Sequence, residues 1–324
     1  MVWGGGGPTL LILAPGFKEA DGVRVGFIGL GNMGRPMAKN ILQKGFPLIV
    51  YDIVPTAMSH LIDQGAQGAS SPKELAGRVD IVITMLPDAK AVSSVLEGEE
   101  GVFAGARKGL LIVDMSTVAP SDTQRLAQEA MARGLRYLDA PVSGGVAGAE
   151  AGKLTIMVGG KEEDYKQCLP LFQCMGERIY HVGDIGSGNA VKLVNNLLLG
   201  INMIGVAEAL TLGVKAGLKP EVLLEVIKNS SGQSYAFTSK VPSFILSGHF
   251  KPGFSINLQH KDIELALQTA KECNIPLLLG SVAYQVYTLA RGKGWGQEDI
   301  SAVIKLWEEV AGLEVRYAEL RKDG

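Results

Sequence analysis

Lys192 and Asn196 are the residues of this chain best suited to proton chemistry. Both lie in NAVKLVNNLLLG (189–200), an otherwise apolar run, four residues apart, so a helix places them on one face. An ammonium in apolar surroundings is costly to keep charged. Desolvation lowers its pKa toward about 7–8, where it can give or take a proton. On these residues alone, a lysine reaching out to water from the helix is the favoured reading.

A second constellation is Gly29, Gly31 and Gly34 in VRVGFIGLGNMG (23–34), spaced G-x-G-x-x-G. Apart from Arg24, the residues leading into it are apolar or glycine, as in a fully buried parallel strand, and residues 35–43 can continue as a helix. Gly29 permits the turn, Gly31 lets the backbone approach a phosphate, and Gly34 lets the helix pack on the strand. Asn32 and Met33 complete the turn, and the N–H groups at the helix start face the phosphate charge. Asp52 closes a second apolar segment, PLIVYD (47–52), 23 residues after Gly29. An acid there accepts hydrogen bonds from ribose hydroxyls and repels a 2′-phosphate. Ile53 follows, with no arginine to welcome that phosphate. The expectation is a dinucleotide, NAD rather than NADP.

Two further groups are weaker on their own. In APVSGG (140–145), Ser143, Gly144 and Gly145 offer a hydroxyl and several backbone N–H groups, which suits a carboxylate; an ordinary glycine turn explains them as well. In QHKDIELAL (259–267), Lys261 could face a cofactor and Asp262 could hold a neighbour, or both could form a solvated helix start.

The elements that must position these residues alternate through the first half. Strands are expected at 79–87, 110–115, 135–140 and 154–159, with a helix at 121–133 capped by Ser121 and stopped by Gly134. This alternation predicts a parallel sheet with helices on both faces. The character changes near Gly183. Residues 189–216 read as one long helix ending at Gly217, followed by helical segments at 220–229, 257–273, 276–292 and 297–322, with Pro220, Pro242, Pro252 and Pro276 as breaks. The fold expected is an α/β Rossmann-like domain over 23–185, then an all-α domain over 186–324, joined by the long helix. Residues 1–22, rich in glycine and without a basic start, read as a flexible extension.

The chain has 324 residues, 47% hydrophobic and 20% charged, enough for two domains with substantial cores. A net charge of −2 gives no electrostatic case for nucleic acid or an anionic membrane. No apolar run reaches the ~20 residues of a membrane span, and Lys192, Asn195, Asn196, Asn202 and Glu208 interrupt the long helix. Cys168, Cys174 and Cys273 form no C-x-x-C, which suits reduced thiols in the cytoplasm, and the four histidines show no ligand spacing, so no metal is expected.

Taken in order, GFIGLGNMG (26–34), DAPVSGG (139–145), GSGNAVKLVNN (186–196) and HKD (260–262) resemble the β-hydroxyacid dehydrogenase family over about 23–316. The resemblance implies a second domain like the C-terminal one of 6-phosphogluconate dehydrogenase, and homodimers or homotetramers built on it. It implies that Gly29, Gly31, Asn32, Met33, Gly34 and Asp52 bind NAD, with Leu86, Pro87, Thr117 and Lys261 also contacting the cofactor. Ser143, Gly144 and Gly145 then hold a small-molecule carboxylate substrate, Lys192 is the catalytic acid–base and Asn196 orients the reacting oxygen.

The implied reaction interconverts a small 3-hydroxy acid and its semialdehyde. 3-Hydroxyisobutyrate leads, although the Cys-Trp pair usual near Gln233 and Ser234 in enzymes acting on it is missing. Reduction of tartronate semialdehyde is an alternative favoured by KPGFSINLQHKD (251–262), though Val146 stands where such reductases carry an acid. Reduction of succinic semialdehyde is a further alternative, though reductases acting on it often have Asn-Arg at the positions of Asp52 and Ile53. A non-catalytic dinucleotide reader is the remaining alternative, and the intact Lys192 and Asn196 argue against it.

Overall fold

The computed structural model describes residues 22–251 and 253–317. All but Gly22 of the expected extension, Pro252 and the end of the last expected helix therefore lie outside the described residues. The chain divides into two compact units, one running to Lys192 and the other starting at Leu193.

The first unit is built on a nine-stranded sheet: β1 (Val25–Ile28), β2 (Leu48–Tyr51), β3 (Gln67–Gly68), β4 (Ile81–Thr84), β5 (Leu111–Asp114), β6 (Arg136–Asp139), β7 (Val142–Ser143), β8 (Leu154–Gly160) and β9 (Gly176–Gly183). The order is β3-β2-β1-β4-β5-β6-β8-β7, with β9 paired to β8. Strands β1 to β6 run parallel, so their carboxyl ends share one edge. The expected parallel sheet is thus extended by strands of mixed direction, since β8 is antiparallel to both β6 and β7. Val25, Phe27, Ile81, Ile83, Leu111 and Val113 face one buried cluster, while Ile28, Val82, Ile112 and Tyr137 face another. Both faces are covered, which is why these strands read as continuous apolar runs rather than alternating ones.

The Pro120–Ala132 helix starts one residue before the expected Ser121 cap. Ala119 is extended, and Pro120 occupies the first turn, where its missing N–H has no partner to lose. The Ser187–Lys215 helix is unbroken and carries residues of both units. By length and hydropathy it reaches what a membrane span requires, contrary to the expectation. Its Met203, Ala207 and Leu210 are nevertheless buried in the core of the second unit.

That unit is helical apart from an isolated bridge between Ser255 and Asp299 among the described residues. Pro242 does not break the chain there; it lies within a π-helix, Ala236–Ile245, whose Phe237, Val241 and Ile245 are buried. The expected 297–322 helix is instead a short 3-10 turn, Ile300–Val303, and a helix Ile304–Ala311, ended by Gly312 in the left-handed region.

Candidate active site

The glycine turn follows β1 at the carboxyl edge of the sheet, where the strand order reverses between β1 and β4. Ligands of open α/β sheets bind at such a point. Gly29 has φ +94, and a Cβ there would overlap the carbonyl oxygen of Met85. A Cβ on Gly34 would overlap the carbonyl oxygen of Gly29. Gly31 differs: nothing lies within 4 Å of its Cβ position. Met33 precedes the Gly34–Gln43 helix without a side-chain cap. An open space over Gly31 beside an uncapped helix start fits a pyrophosphate.

Asp52 stands just past β2, and its Oδ2 accepts a hydrogen bond from Leu30 N at 2.6 Å and its Oδ1 one from Val54 N at 2.8 Å. The same carboxylate therefore ties the glycine turn to the end of β2. Ile53 beside it is 86% exposed.

Leu86 and Pro87 follow β4, and Thr117 follows β5. Leu86 N donates to Ser116 Oγ at 2.9 Å. Asp114, fully buried, accepts from Thr84 Oγ1 at 2.8 Å and Ser116 N at 3.0 Å. Burial pushes the Asp114 carboxyl up to about 6, against the pull of the Ser116 and Thr84 donors. Ser143 ends β7, and Gly144 (φ +136) and Gly145 (φ +62) open the Gly145–Glu150 helix without a side-chain cap. All of these residues are in the first unit.

Lys192 lies in the second turn of the Ser187–Lys215 helix and is only 8% exposed. The start of that helix is held by Asp139 at the end of β6. Asp139 Oδ1 accepts from Gly186 N and Oδ2 from Asn189 N, both at 2.8 Å. The Asn189 side chain accepts from Val118 N and donates to Thr123 Oγ1, both at 3.1 Å. Asp114, Ser116, Asp139 and Asn189 were not picked out by the sequence reasoning, although Asp139 and Asn189 stand inside two of its motif blocks.

In the second unit, Asn196 sits one turn beyond Lys192 on the same helix and is 2% exposed. Its Nδ2 donates to Asp262 Oδ2 at 2.5 Å, its Oδ1 accepts from Asn195 Nδ2 at 3.0 Å, and its backbone oxygen accepts from Gln259 Nε2 at 2.8 Å. Asp262 does hold a neighbour. Its Oδ1 also lies 3.0 Å from Lys261 Nζ, an ion pair without hydrogen-bond alignment. The thiols offer little nucleophilicity where they are buried: burial pushes Cys168 up to about 12 and Cys174 to about 11.

This fold and cradle define a two-part protein with a dinucleotide-binding domain. Residues 24–183 match the family of the NAD binding domain of 6-phosphogluconate dehydrogenase. Residues 186–307 match the NAD-binding family of NADP-dependent 3-hydroxyisobutyrate dehydrogenase. The chain is 49% identical over 293 residues to 2-(hydroxymethyl)glutarate dehydrogenase of Eubacterium barkeri, covering 90% of this chain and 97% of the relative. It is 42% identical over 291 residues to mitochondrial 3-hydroxyisobutyrate dehydrogenase of Mus musculus, covering 88% and 87%. Among solved structures, Mycobacterium tuberculosis 3-hydroxyisobutyrate dehydrogenase with L-serine superposes with a TM-score of 0.82 at 36% identity, covering 88% of this chain and 98% of that one.

The chain belongs to the β-hydroxyacid dehydrogenase family. Its relatives are oxidoreductases acting on CH–OH groups.

Proposed function

We propose that this protein is an NAD-dependent dehydrogenase that interconverts a small 3-hydroxy acid and its semialdehyde, with 3-hydroxyisobutyrate as the leading substrate. The observation that carries the reading is Lys192, nearly buried and one helical turn from an Asn196 whose amide is held by Asp262. A second reading, 2-(hydroxymethyl)glutarate, is favoured by the relative at 49% identity. The two acids share the core HOCH2–CH(R)–COO−, with R methyl in one and carboxyethyl in the other. L-serine, present with the M. tuberculosis enzyme, has the same core with R ammonium. The proposed site thus reads the hydroxymethyl and the carboxylate, and R is what separates the candidates.

In this reading the first unit supplies most of the cofactor contacts, and the helical unit supplies Lys261 together with substrate and oligomer contacts. Gly29, Gly31, Asn32, Met33 and Gly34 hold the pyrophosphate, and Asp52 holds the adenosine ribose. Leu86, Pro87, Thr117 and Lys261 are assigned to the cofactor as well. The matched family descriptions name both NAD and NADP, so the preference for NAD rests on the Asp52 carboxylate beside exposed Ile53. A bound nicotinamide supplies the two-electron acceptor for the hydrogen on the carbinol carbon.

Ser143, Gly144 and Gly145 hold the substrate carboxylate through a hydroxyl and backbone N–H groups. Lys192, as the neutral amine, takes the hydroxyl proton; in reduction its ammonium returns a proton to the aldehyde oxygen. Asn196 gives one N–H to Asp262 and its second to the reacting oxygen. Apolar side chains at Val194, Leu198, Leu278, Leu279, Val282 and Leu289 are exposed on the helical unit. They support a homodimer or homotetramer in which a second copy covers them.

The test follows reduced-nicotinamide absorbance with 3-hydroxyisobutyrate, 2-(hydroxymethyl)glutarate, L-serine and glycerate, each with NAD and NADP. Highest kcat/KM for 3-hydroxyisobutyrate with NAD supports the first reading, and for 2-(hydroxymethyl)glutarate the second. Binding of dinucleotide without turnover of any of them, or of the semialdehydes in reverse, overturns both.

A further inference from the structure

We infer that Asp139 and Asn189 form a two-point clamp that positions Lys192 for proton transfer. The inference rests on the acid–base role proposed for Lys192. Asp139 is fully buried at the end of β6, and its two carboxylate oxygens are spent on two amides of one helix start, Gly186 N and Asn189 N. The approach is possible because two glycines make room. A Cβ on Gly159 would overlap Asp139 Oδ1, and one on Gly188 would lie 2.9 Å from Asp139 Oδ2. A carboxylate at a helix N-terminus also meets the positive end of the helix dipole.

This first anchor fixes how far the helix start stands from the sheet. The second fixes how it is turned about its axis. Asn189, also fully buried, reaches away from the helix to Val118 N in the segment after β5 and to Thr123 Oγ1 in the Pro120–Ala132 helix. Its amide can face only one way, because Val118 N offers a donor and needs the oxygen.

Lys192 follows Asn189 by three residues, less than one turn and roughly 4.5 Å along the axis, so it has little freedom to depart from where the clamp holds the helix. Val118 directly follows Thr117, which the proposed function assigns to the cofactor. The clamp therefore ties the acid–base residue to the cofactor segment within one unit. Reacting groups displaced by about 1 Å lose on the order of a hundredfold in rate.

Asp139 and Asn189 touch no reacting atom in this account; they are positioning residues. Thr123→Val keeps the shape of the side chain and removes only the hydroxyl that holds the Asn189 amide, whereas Thr123→Ser keeps the hydroxyl. Asn189→Ala removes both links.

The experiment measures kcat, KM and the Kd for NADH by fluorescence well below each variant's Tm, with Lys192→Ala in parallel. The clamp predicts kcat down about tenfold or more in Thr123→Val and further in Asn189→Ala, with Kd for NADH within about threefold and kcat near wild type in Thr123→Ser. A fall in Tm with wild-type kcat in Thr123→Val and Asn189→Ala overturns it and leaves both residues as fold-keepers. If Thr123→Ser loses as much as Thr123→Val, the hydroxyl is not the link and the clamp is likewise overturned. Wild-type turnover in Lys192→Ala instead overturns the proposed role of Lys192. Should Asn189→Ala fail to fold, the Thr123 pair decides.

Discussion

Replacing Asp114 by Asn should remove a measurable share of the pH dependence of folding. Burial raises the Asp114 carboxyl from 3.8 to about 6, and the neighbouring charge of Asp139 acts in the same direction. The folded state therefore binds this proton more tightly than the unfolded chain does. The resulting stability is fully present below the unfolded value and is lost as pH rises through the folded one. A difference of about two pH units at about 1.4 kcal/mol each makes the loss about 3 kcal/mol in all. Roughly 2 kcal/mol of it falls between about pH 4.5 and about pH 8, because the unfolded carboxyl is already largely ionised at the acid limit.

Asn keeps an oxygen for Thr84 Oγ1 and Ser116 N, and its amide nitrogen faces the Tyr137 hydroxyl, 3.5 Å from Asp114 Oδ2. The variant should thus fold. Urea unfolding of the ligand-free protein, followed by circular dichroism at both pH values, gives the comparison. Wild type should lose about 2 kcal/mol more than Asp114→Asn on going to the higher pH. Equal losses in the two proteins, to within about 0.5 kcal/mol, would show that Asp114 is not held protonated by its surroundings.

Lys192→Ala should fold and bind dinucleotide but lose nearly all turnover; steady-state kinetics beside NADH fluorescence checks both halves. Gly31→Ala meets open space and should keep its Tm while dinucleotide affinity falls at least about tenfold. Gly34→Ala, driven into the Gly29 carbonyl, should instead lose about 1–3 kcal/mol of stability, visible as several degrees of Tm; unchanged affinity in the first or unchanged Tm in the second contradicts the cradle described. Asp52→Ser with Ile53→Arg should move the ratio of kcat/KM for NADP over NAD upward by about tenfold or more. Affinity for both cofactors should drop in that variant, since Leu30 N loses its acceptor.

What the sequence revealed was local. The glycine turn and its flanking strand and helix are specified within a dozen residues, and β1, β2, β4 and β5 are short apolar runs because both faces of the sheet are covered. β7 and β9 were missed because what makes them strands is pairing with β8, which composition does not reveal. Pro242 read as a break, yet the wider π turn around it is held by the burial of Phe237, Val241 and Ile245, a tertiary effect.

The candidate site shows the same division. Lys192, Asn196 and the glycines stand out by type and spacing. The groups that hold them do not, because their partners are remote in sequence: Asp139 lies 47 residues from Gly186, Asn189 71 from Val118, and Asn196 66 from Asp262. Asp262 pairs with the adjacent Lys261, but the neighbour it hydrogen-bonds, Asn196, is on another helix and could not be read from the local sequence.

The sheet of the first unit also bears on how the protein behaves when concentrated. An open sheet exposes unpaired backbone groups at its margins, and those can recruit a strand from another molecule into an aggregate. Here one margin is β3, only two residues long and too short to template a growing ribbon. Around β8 the sheet ends in β7, also only two residues long, and in β9, eight residues long, which carries Glu177 and Arg178 exposed and pairs with β8 through two irregularities of register. Charge and a broken register make that margin a poor seed. Apolar residues at 177 and 178 would remove that charge and make β9 a better template for an added strand.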